Sequence, residues 1–152
     1  MLAAICAACT RDSSLSARDE ATIRSALQLP AAAKLLSLTA EPASPGTFGR
    51  EGLRLVASFA LPSAEASRFA TAAMTQGWRG LPLPDAAAGF KQPPTELPAP
   101  QRGVVFCRVG KWRTGNEFDW SVCEGEKAID RYQTAVLDLD NATVSAVFKN
   151  YY

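Results

Sequence analysis

The segment from Gly103 to Glu124 constrains the fold most, because it predicts a β-hairpin with a single register. Its turn signal is Thr114-Gly115-Asn116, and folding about Gly115 sets residues whose numbers sum to 230 opposite each other. The facing pairs are Arg113 with Glu117, Lys111 with Asp119, Trp112 with Phe118, and Cys107 with Cys123. Opposite-charge and aromatic cross-strand pairs stabilise an antiparallel hairpin, so we predict this register.

The facing cysteines predict the compartment of the protein. In that register Cys107 and Cys123 lie at a separation that a disulfide can span. A disulfide that closes this loop of about 16 residues would stabilise the fold by roughly 3 kcal/mol in the chain-entropy description. Disulfides persist in oxidising compartments, so the pair predicts an exported protein. The alternative is two reduced cysteines that face each other without a bond.

The start of the chain also indicates export. Residues 1–9 are apolar and small, and the composition becomes polar at Thr10, as at the end of a secretory signal. Ala7-Ala8-Cys9 resembles the end of a bacterial lipobox, in which small residues precede a cysteine that is lipidated and becomes the mature N-terminus. The resemblance implies lipidation of Cys9, although Cys6 stands where leucine is usual. A plain signal remnant and a CxxC redox site formed by Cys6 and Cys9 are the alternatives.

The remaining chain predicts one domain. Residues 10–16 are polar and suit a tether, and residues 17–152 suffice for a single domain with its own core. Hydrophobic periodicity predicts helices over residues 19–29 and 63–76, capped by Ser16 and Ser63, and strands over residues 34–39 and 53–61. Residues 41–52 read as a loop because they are rich in Pro, Ser and Gly.

The later elements complete an α+β fold. The second helix carries a stripe of mostly small residues, Ala66, Phe69, Ala70 and Ala73, which would let it approach a sheet closely. Residues 81–102 hold six of the ten prolines and predict a long surface loop. Residues 132–150 predict a second hairpin about Asp140-Asn141. We therefore predict an antiparallel sheet of about five or six strands with two helices packed on one face.

Composition excludes several function classes. The 16 basic and 15 acidic residues are interspersed, so the basic footprint of a nucleic-acid binder is absent. The chain has no histidine, which excludes Ser-His-Asp and Cys-His sites within it and removes the commonest metal ligand. We expect no metal and no cofactor. A hydrolase with two carboxylates remains an alternative, with candidates Glu117, Asp119, Glu124, Glu126 and Asp130.

Arg108 fits its predicted position badly. It shares a hairpin face with Phe106, Trp112, Phe118 and Trp120, where an apolar residue is expected. An arginine among aromatic rings can make structural cation–π contacts or meet a partner. Together with Trp112, Arg113 and Phe118 it forms our candidate binding surface, because aromatic residues and arginine most often anchor interfaces.

These observations predict a small, lipoprotein-like binding or structural module without catalytic activity. It would be extracytoplasmic, anchored to a membrane in the bacterial periplasm through Cys9, and would bind a protein or an envelope component rather than nucleic acid. An immunity-type inhibitor of a secreted toxin is the alternative from another class, since small size, export and the lack of a catalytic set suit it equally.

Overall fold

The computed structural model describes residues 13–43, 52–83, 97–113, 118–122 and 131–151. Within them the elements are, in chain order, α1 (Ser13–Leu27), β1 (Lys34–Ala43), β2 (Gly52–Ala60), α2 (Ser63–Thr75), β3 (Arg79–Gly80), β4 (Gly103–Trp112), β5 (Phe118–Val122), β6 (Arg131–Asp138) and β7 (Thr143–Tyr151). The strands form one antiparallel sheet in the order β1-β2-β7-β6-β4, and β3 and β5 share the outer edge of β4. The sheet is therefore six positions wide, and the predicted α+β fold is confirmed.

Both predicted hairpins have their predicted registers. The β4–β5 pairs run from Arg108 with Val122 to Trp112 with Phe118. The β6–β7 pairs follow the predicted register from Arg131 with Asn150 to Asp138 with Thr143. The turn at residues 114–117 and Cys123 lie outside the described residues.

Two long-range pairings complete the sheet. Strand β2 pairs with β7 along its full length, from Gly52 with Tyr151 to Ala60 with Thr143. Strand β4 pairs with β6 from Gly103 to Gly110. Hydrophobic periodicity shows which face of a strand is buried but not which strand lies beside it, so the strand order was not predicted.

Several element boundaries differ from the predictions. Helix α1 begins at Ser13, so residues 13–16 are helical. The helix therefore starts before the predicted cap at Ser16. Strand β1 continues to Ala43, into the predicted loop, and Gly52 belongs to β2. Pairing with β2 keeps this stretch extended despite Pro42, which an edge strand tolerates because its outward side needs no donor.

Both helices cover the same face of the sheet. Their buried residues pack with alternate residues of β2, β4, β6 and β7 in a helix-covered core, whose largest side chains include Ile23, Leu27, Leu55, Phe59, Phe69, Trp78, Phe106, Leu137 and Phe148. The predicted small-residue stripe of α2 is buried as expected, at Ala66, Phe69, Ala70 and Ala73. The packing of two helices on one face of the sheet is thus confirmed.

The ends of helix α2 differ in how well they were predicted. Pro62, not Ser63, occupies the N-cap position, and no side chain caps the helix there. At the other end Gly77 has φ +91°, and the Trp78 N–H donates to the Ala73 oxygen at 3.1 Å. This is the Schellman geometry that glycine permits, and it confirms Gly77 as the residue that ends the helix.

The opposite sheet face carries a second cluster, formed by Leu97, Val105, Cys107, Val109, Val136 and Val147. Leu97 comes from the Pro-rich segment and is only 7% exposed, and Leu81 and Leu83 pack partly against the cluster. The described residues of this segment, 81–83 and 97–102, form no helix or strand, and three of its leucines cover apolar strand residues. Strand β3 also anchors the preceding chain to β4.

None of the helices in the described ranges is long and apolar enough to cross a membrane.

Candidate functional site

The predicted binding residues lie at one end of β4 and β5. Arg108 lies within β4, Trp112 is its last residue, and Phe118 begins β5 opposite Trp112. Arg113 follows β4 and is exposed. The side chains of Trp112 and Phe118 are outside what the structure describes, so the site is defined here through Arg108 and its neighbours.

Arg108 contacts Gln133 and Phe106 on the helix-covered face. Its Nε donates to Oε1 of Gln133 at 2.6 Å. Its guanidinium carbon lies 5.6 Å from the ring centroid of Phe106, two residues earlier in the same strand. A guanidinium over an aromatic ring at this distance is a cation–π contact. The predicted contact of Arg108 with an aromatic residue is confirmed for Phe106.

Phe106 also packs against other aromatic rings. Trp78 lies 5.3 Å from Phe106 and 5.4 Å from Phe69 of α2, measured between ring centroids. Trp78 is 3% exposed, so it packs in the core as predicted and is not a platform for a ligand. Phe69 of α2, Trp78 and Phe106 thus form a chain of ring contacts that ends at the guanidinium of Arg108.

Gln133 is a site residue that sequence reasoning missed. It is the Cα partner of Arg108 in β6 and is 5% exposed. The sequence placed it correctly opposite Phe148 on an otherwise apolar face. Like Arg108, Gln133 is a polar residue where the pattern predicts an apolar one, and this could have marked it as a candidate. Only the pairing of β4 with β6 brings Arg108 and Gln133 together.

Burial affects the charge at this site. Desolvation lowers the pKa of the Arg108 guanidinium from its ordinary value. An arginine still keeps its proton, because its ordinary pKa lies above about 12. The Gln133 oxygen is a neutral acceptor, so this hydrogen bond orients the guanidinium without neutralising it.

A second arginine lies close to Arg108. Arg131 begins β6 two residues before Gln133, on the same face, and is the Cα partner of Gly110. Arg108 and Arg131 are therefore diagonal cross-strand neighbours, whose α carbons are about 7–8 Å apart in such an arrangement. Sequence reasoning missed Arg131 because it could not place β6 beside β4.

The cysteine evidence covers one residue of the predicted pair. Cys107 is 5% exposed and lies in the second cluster. Cys123 and the predicted lipidation site Cys9 lie outside the described residues. The pairing of Cys107 with Cys123 and the modification of Cys9 stay predictions.

The carboxylates of the alternative hydrolase are largely outside the described residues. Glu117, Glu124, Glu126 and Asp130 fall there, and Asp119 is placed only by its pairing with Lys111. Within the described ranges, no three side chains of the metal-binding types converge.

The described site can recognise a partner through charge, hydrogen bonds and ring contacts. Arg108, Gln133 and Phe106 supply donors and an apolar surface, but none of the three is a nucleophile or a general base. Comparisons with protein-family models, curated proteins and solved structures found no match to this chain. Function is therefore inferred from the chemistry of the Arg108 site.

Proposed function

We propose that this chain is a non-enzymatic binding module of the bacterial envelope, and that it contacts its partner with the end of the sheet around Arg108. The observation that carries the proposal is the guanidinium held by Gln133 and Phe106 on the helix-covered face. An apolar side chain there would pack on Phe106 without the cost of desolvating a charge. The presence of a cation in this place therefore favours a role for Arg108 in recognising a partner over a role in packing alone.

The rigidity of this end of the sheet favours binding. Phe106 and Gln133 are buried in paired strands, so little conformational freedom of Arg108 remains to be lost when a partner binds. Arg113 is exposed beside Trp112 and Phe118 in the hairpin sequence. Arginine and aromatic residues are the side chains that most often contribute large binding energies at interfaces.

The proposed location is extracytoplasmic. It is supported by the predicted disulfide between Cys107 and Cys123 and by the lipobox-like residues that end at Cys9. We expect Cys9→Ser to move the protein, expressed from its complete gene in a bacterium, from the membrane fraction to the soluble fraction. Cys6→Ser is the matched control and should leave it in the membrane. An unmodified Met1 in the mature product, found by mass spectrometry, would refute lipidation.

Binding is tested by affinity capture from an envelope extract. The immobilised proteins are the wild type, Arg113→Glu, Arg108→Met and the control Arg68→Glu, whose exposed arginine lies on α2. We expect Arg113→Glu and Arg108→Met to lose a partner that the wild type and Arg68→Glu retain. Urea unfolding of each variant distinguishes loss of binding from loss of the fold.

Two outcomes would contradict the proposal: the same partners on all four proteins, or a wild-type result no different from bare beads. Capture of a secreted toxin through Arg113 and Arg108 would instead favour the immunity-type inhibitor.

A further inference from the structure

The sheet face opposite the helices carries a row of charged and polar residues across four adjacent strands. Successive Cα partners in this row are Glu41 of β1, Arg54 of β2, Lys149 of β7 and Tyr132 of β6. Directly opposite residues of an antiparallel pair lie on the same face. All four side chains therefore belong to one face, which we call the cation row.

The cation row places two positive charges directly opposite each other. Arg54 and Lys149 are Cα partners, and like charges in that arrangement destabilise a sheet. Glu41 accepts a hydrogen bond from Nη1 of Arg54 at 2.9 Å, but it lies in β1, on the side of β2 away from Lys149. The carboxylate is 57% exposed and the Arg54 side chain 18% exposed. The two cations of the row are thus adjacent, and Lys149 lies on the side of Arg54 away from Glu41.

We propose that the cation row binds an oxyanion, a carboxylate or a phosphate group, between Arg54 and Lys149. The planar donors of arginine match the oxygens of both groups, and lysine adds a point charge. The ion pair with Glu41 orients the Arg54 side chain. Tyr132, partly buried against the second cluster, is the Cα partner of Lys149 in β6. A bound oxyanion would relieve the repulsion between the two cations.

This site is independent of the Arg108 surface. Arg108 and Gln133 lie on the helix-covered face, whereas Tyr132, the neighbour of Gln133 in β6, lies on the opposite face. A ligand of the cation row would therefore approach the sheet from the side without helices. Failure of either proposal leaves the other standing.

The test is a titration followed by amide chemical shifts in NMR, with inorganic phosphate and acetate as probes at constant ionic strength. The variants are Lys149→Gln, Lys149→Arg and the control Lys34→Gln, which removes the same charge on the same face. Lys34 pairs with Ala60, six residues from Arg54 along β2 and so about 20 Å away. We expect saturable shifts near residues 54, 132 and 149 in the wild type, Lys149→Arg and Lys34→Gln. Lys149→Gln should bind about tenfold more weakly.

A second measurement separates binding from folding. Lys149→Gln should unfold at the same urea concentration as the wild type or a higher one, because the change removes a like-charge pair. Non-saturable shifts with both probes, or equal affinities of the wild type and Lys149→Gln, would overturn the proposal.

The source of the oxyanion is resolved with vesicles. Cosedimentation with phosphatidylglycerol vesicles but not phosphatidylcholine vesicles, lost in Lys149→Gln and kept in Lys34→Gln, would assign the site to an anionic lipid headgroup. Saturable binding of phosphate or acetate without vesicle binding would assign it to a soluble anion.

Discussion

At the scale of single residues, Gly103 lies where a Cβ atom would obstruct the pairing of two strands. A Cβ added at Gly103 would lie 2.0 Å from the backbone oxygen of Leu137 in the neighbouring strand β6. Leu137 is fully buried, so its backbone cannot withdraw without disturbing the helix-covered core. Gly103 is required here by close approach of two backbones.

We expect Gly103→Ala to lower the free energy of unfolding by about 3 kcal/mol, the upper end of the usual range for overpacking. The control is Gly80→Ala, since a Cβ at Gly80 would meet nothing within 4 Å. That variant should change stability by less than about 1 kcal/mol. Urea unfolding measures both, and a Gly103→Ala variant as stable as Gly80→Ala would contradict the close approach.

Arg24 shows that a cation over a ring can have a structural explanation. Its guanidinium carbon lies 5.1 Å from the Phe59 centroid, and its Nη2 donates to the Ala33 oxygen at 2.8 Å. Its Nε also pairs with Glu20 at 2.7 Å. These contacts join α1 to the chain before β1.

At the scale of elements, both helices end in the same geometry but with different residues. The Leu29 N–H donates to the Arg24 oxygen at 3.0 Å, as the Trp78 N–H does to Ala73 at the end of α2. The residue with positive φ is Gln28 in α1, at +52°, and Gly77 in α2, at +91°. Only glycine adopts this conformation without steric penalty.

We therefore expect Gln28→Gly to raise the free energy of unfolding by about 0.5–1 kcal/mol, after the greater unfolded-state entropy of glycine is subtracted. The reciprocal change Gly77→Gln should lower it by a similar amount, because no atom within 4 Å would obstruct a Cβ there. Both values come from urea midpoints at unchanged slope. A stabilising Gly77→Gln would show that the positive φ carries no penalty.

The turn between β6 and β7 depends on one carboxylate. Oδ1 of Asp138 accepts the backbone N–H groups of Asp140 and Asn141, at 2.9 and 3.1 Å, and Oδ2 accepts the Asn141 side-chain amide at 2.6 Å. The Asn141 side chain is the main cause that lowers the pKa of Asp138; desolvation opposes it, and the two backbone bonds add to it. The carboxylate is therefore stabilised in its charged form.

A carboxylate whose pKa is lower in the folded state stabilises the fold at pH values above its unfolded-state pKa, which is about 4. This stabilisation is lost as the pH falls through the folded-state pKa. We expect Asp138→Ala to cost about 1 kcal/mol at pH 7, a modest value because the carboxylate is largely solvated. The cost should shrink below pH 4. Asp140→Ala is the control, since its exposed pair with Arg102 contributes little. A cost of Asp138→Ala that is the same at pH 7 and pH 3 would refute the linkage.

At the scale of the whole molecule, β4 connects the two clusters. Phe106 faces the helix-covered core, and Cys107 faces the second cluster beneath the Pro-rich segment. A disulfide from Cys107 to Cys123 would fasten the chain after β5 to strand β4.

We expect replacement of Cys107 and Cys123 together by serine to lower the free energy of unfolding by about 2–4 kcal/mol. A reducing agent should lower the stability of the wild type by a similar amount and leave the stability of the double variant unchanged. The pairing would be contradicted if mass spectrometry of the non-reduced, digested protein found Cys107 bonded to a different cysteine.

The sequence alone determined the features that depend on neighbouring residues along the chain. Alternation and charge pairing gave the registers of β4 with β5 and of β6 with β7, and the α2 stripe identified its buried face. These succeed because a hairpin register depends on residues brought together by one short turn.

Only the tertiary structure decided which strands are neighbours across the sheet. The pairing of β4 with β6 brings Arg108 to Gln133, and that of β2 with β7 brings Arg54 to Lys149. Both pairings join segments far apart in the chain, and the periodicity of a strand is the same whichever strand lies beside it. The burial of Leu97 and the extension of β1 to Ala43 likewise depend on distant partners, so local composition predicted neither.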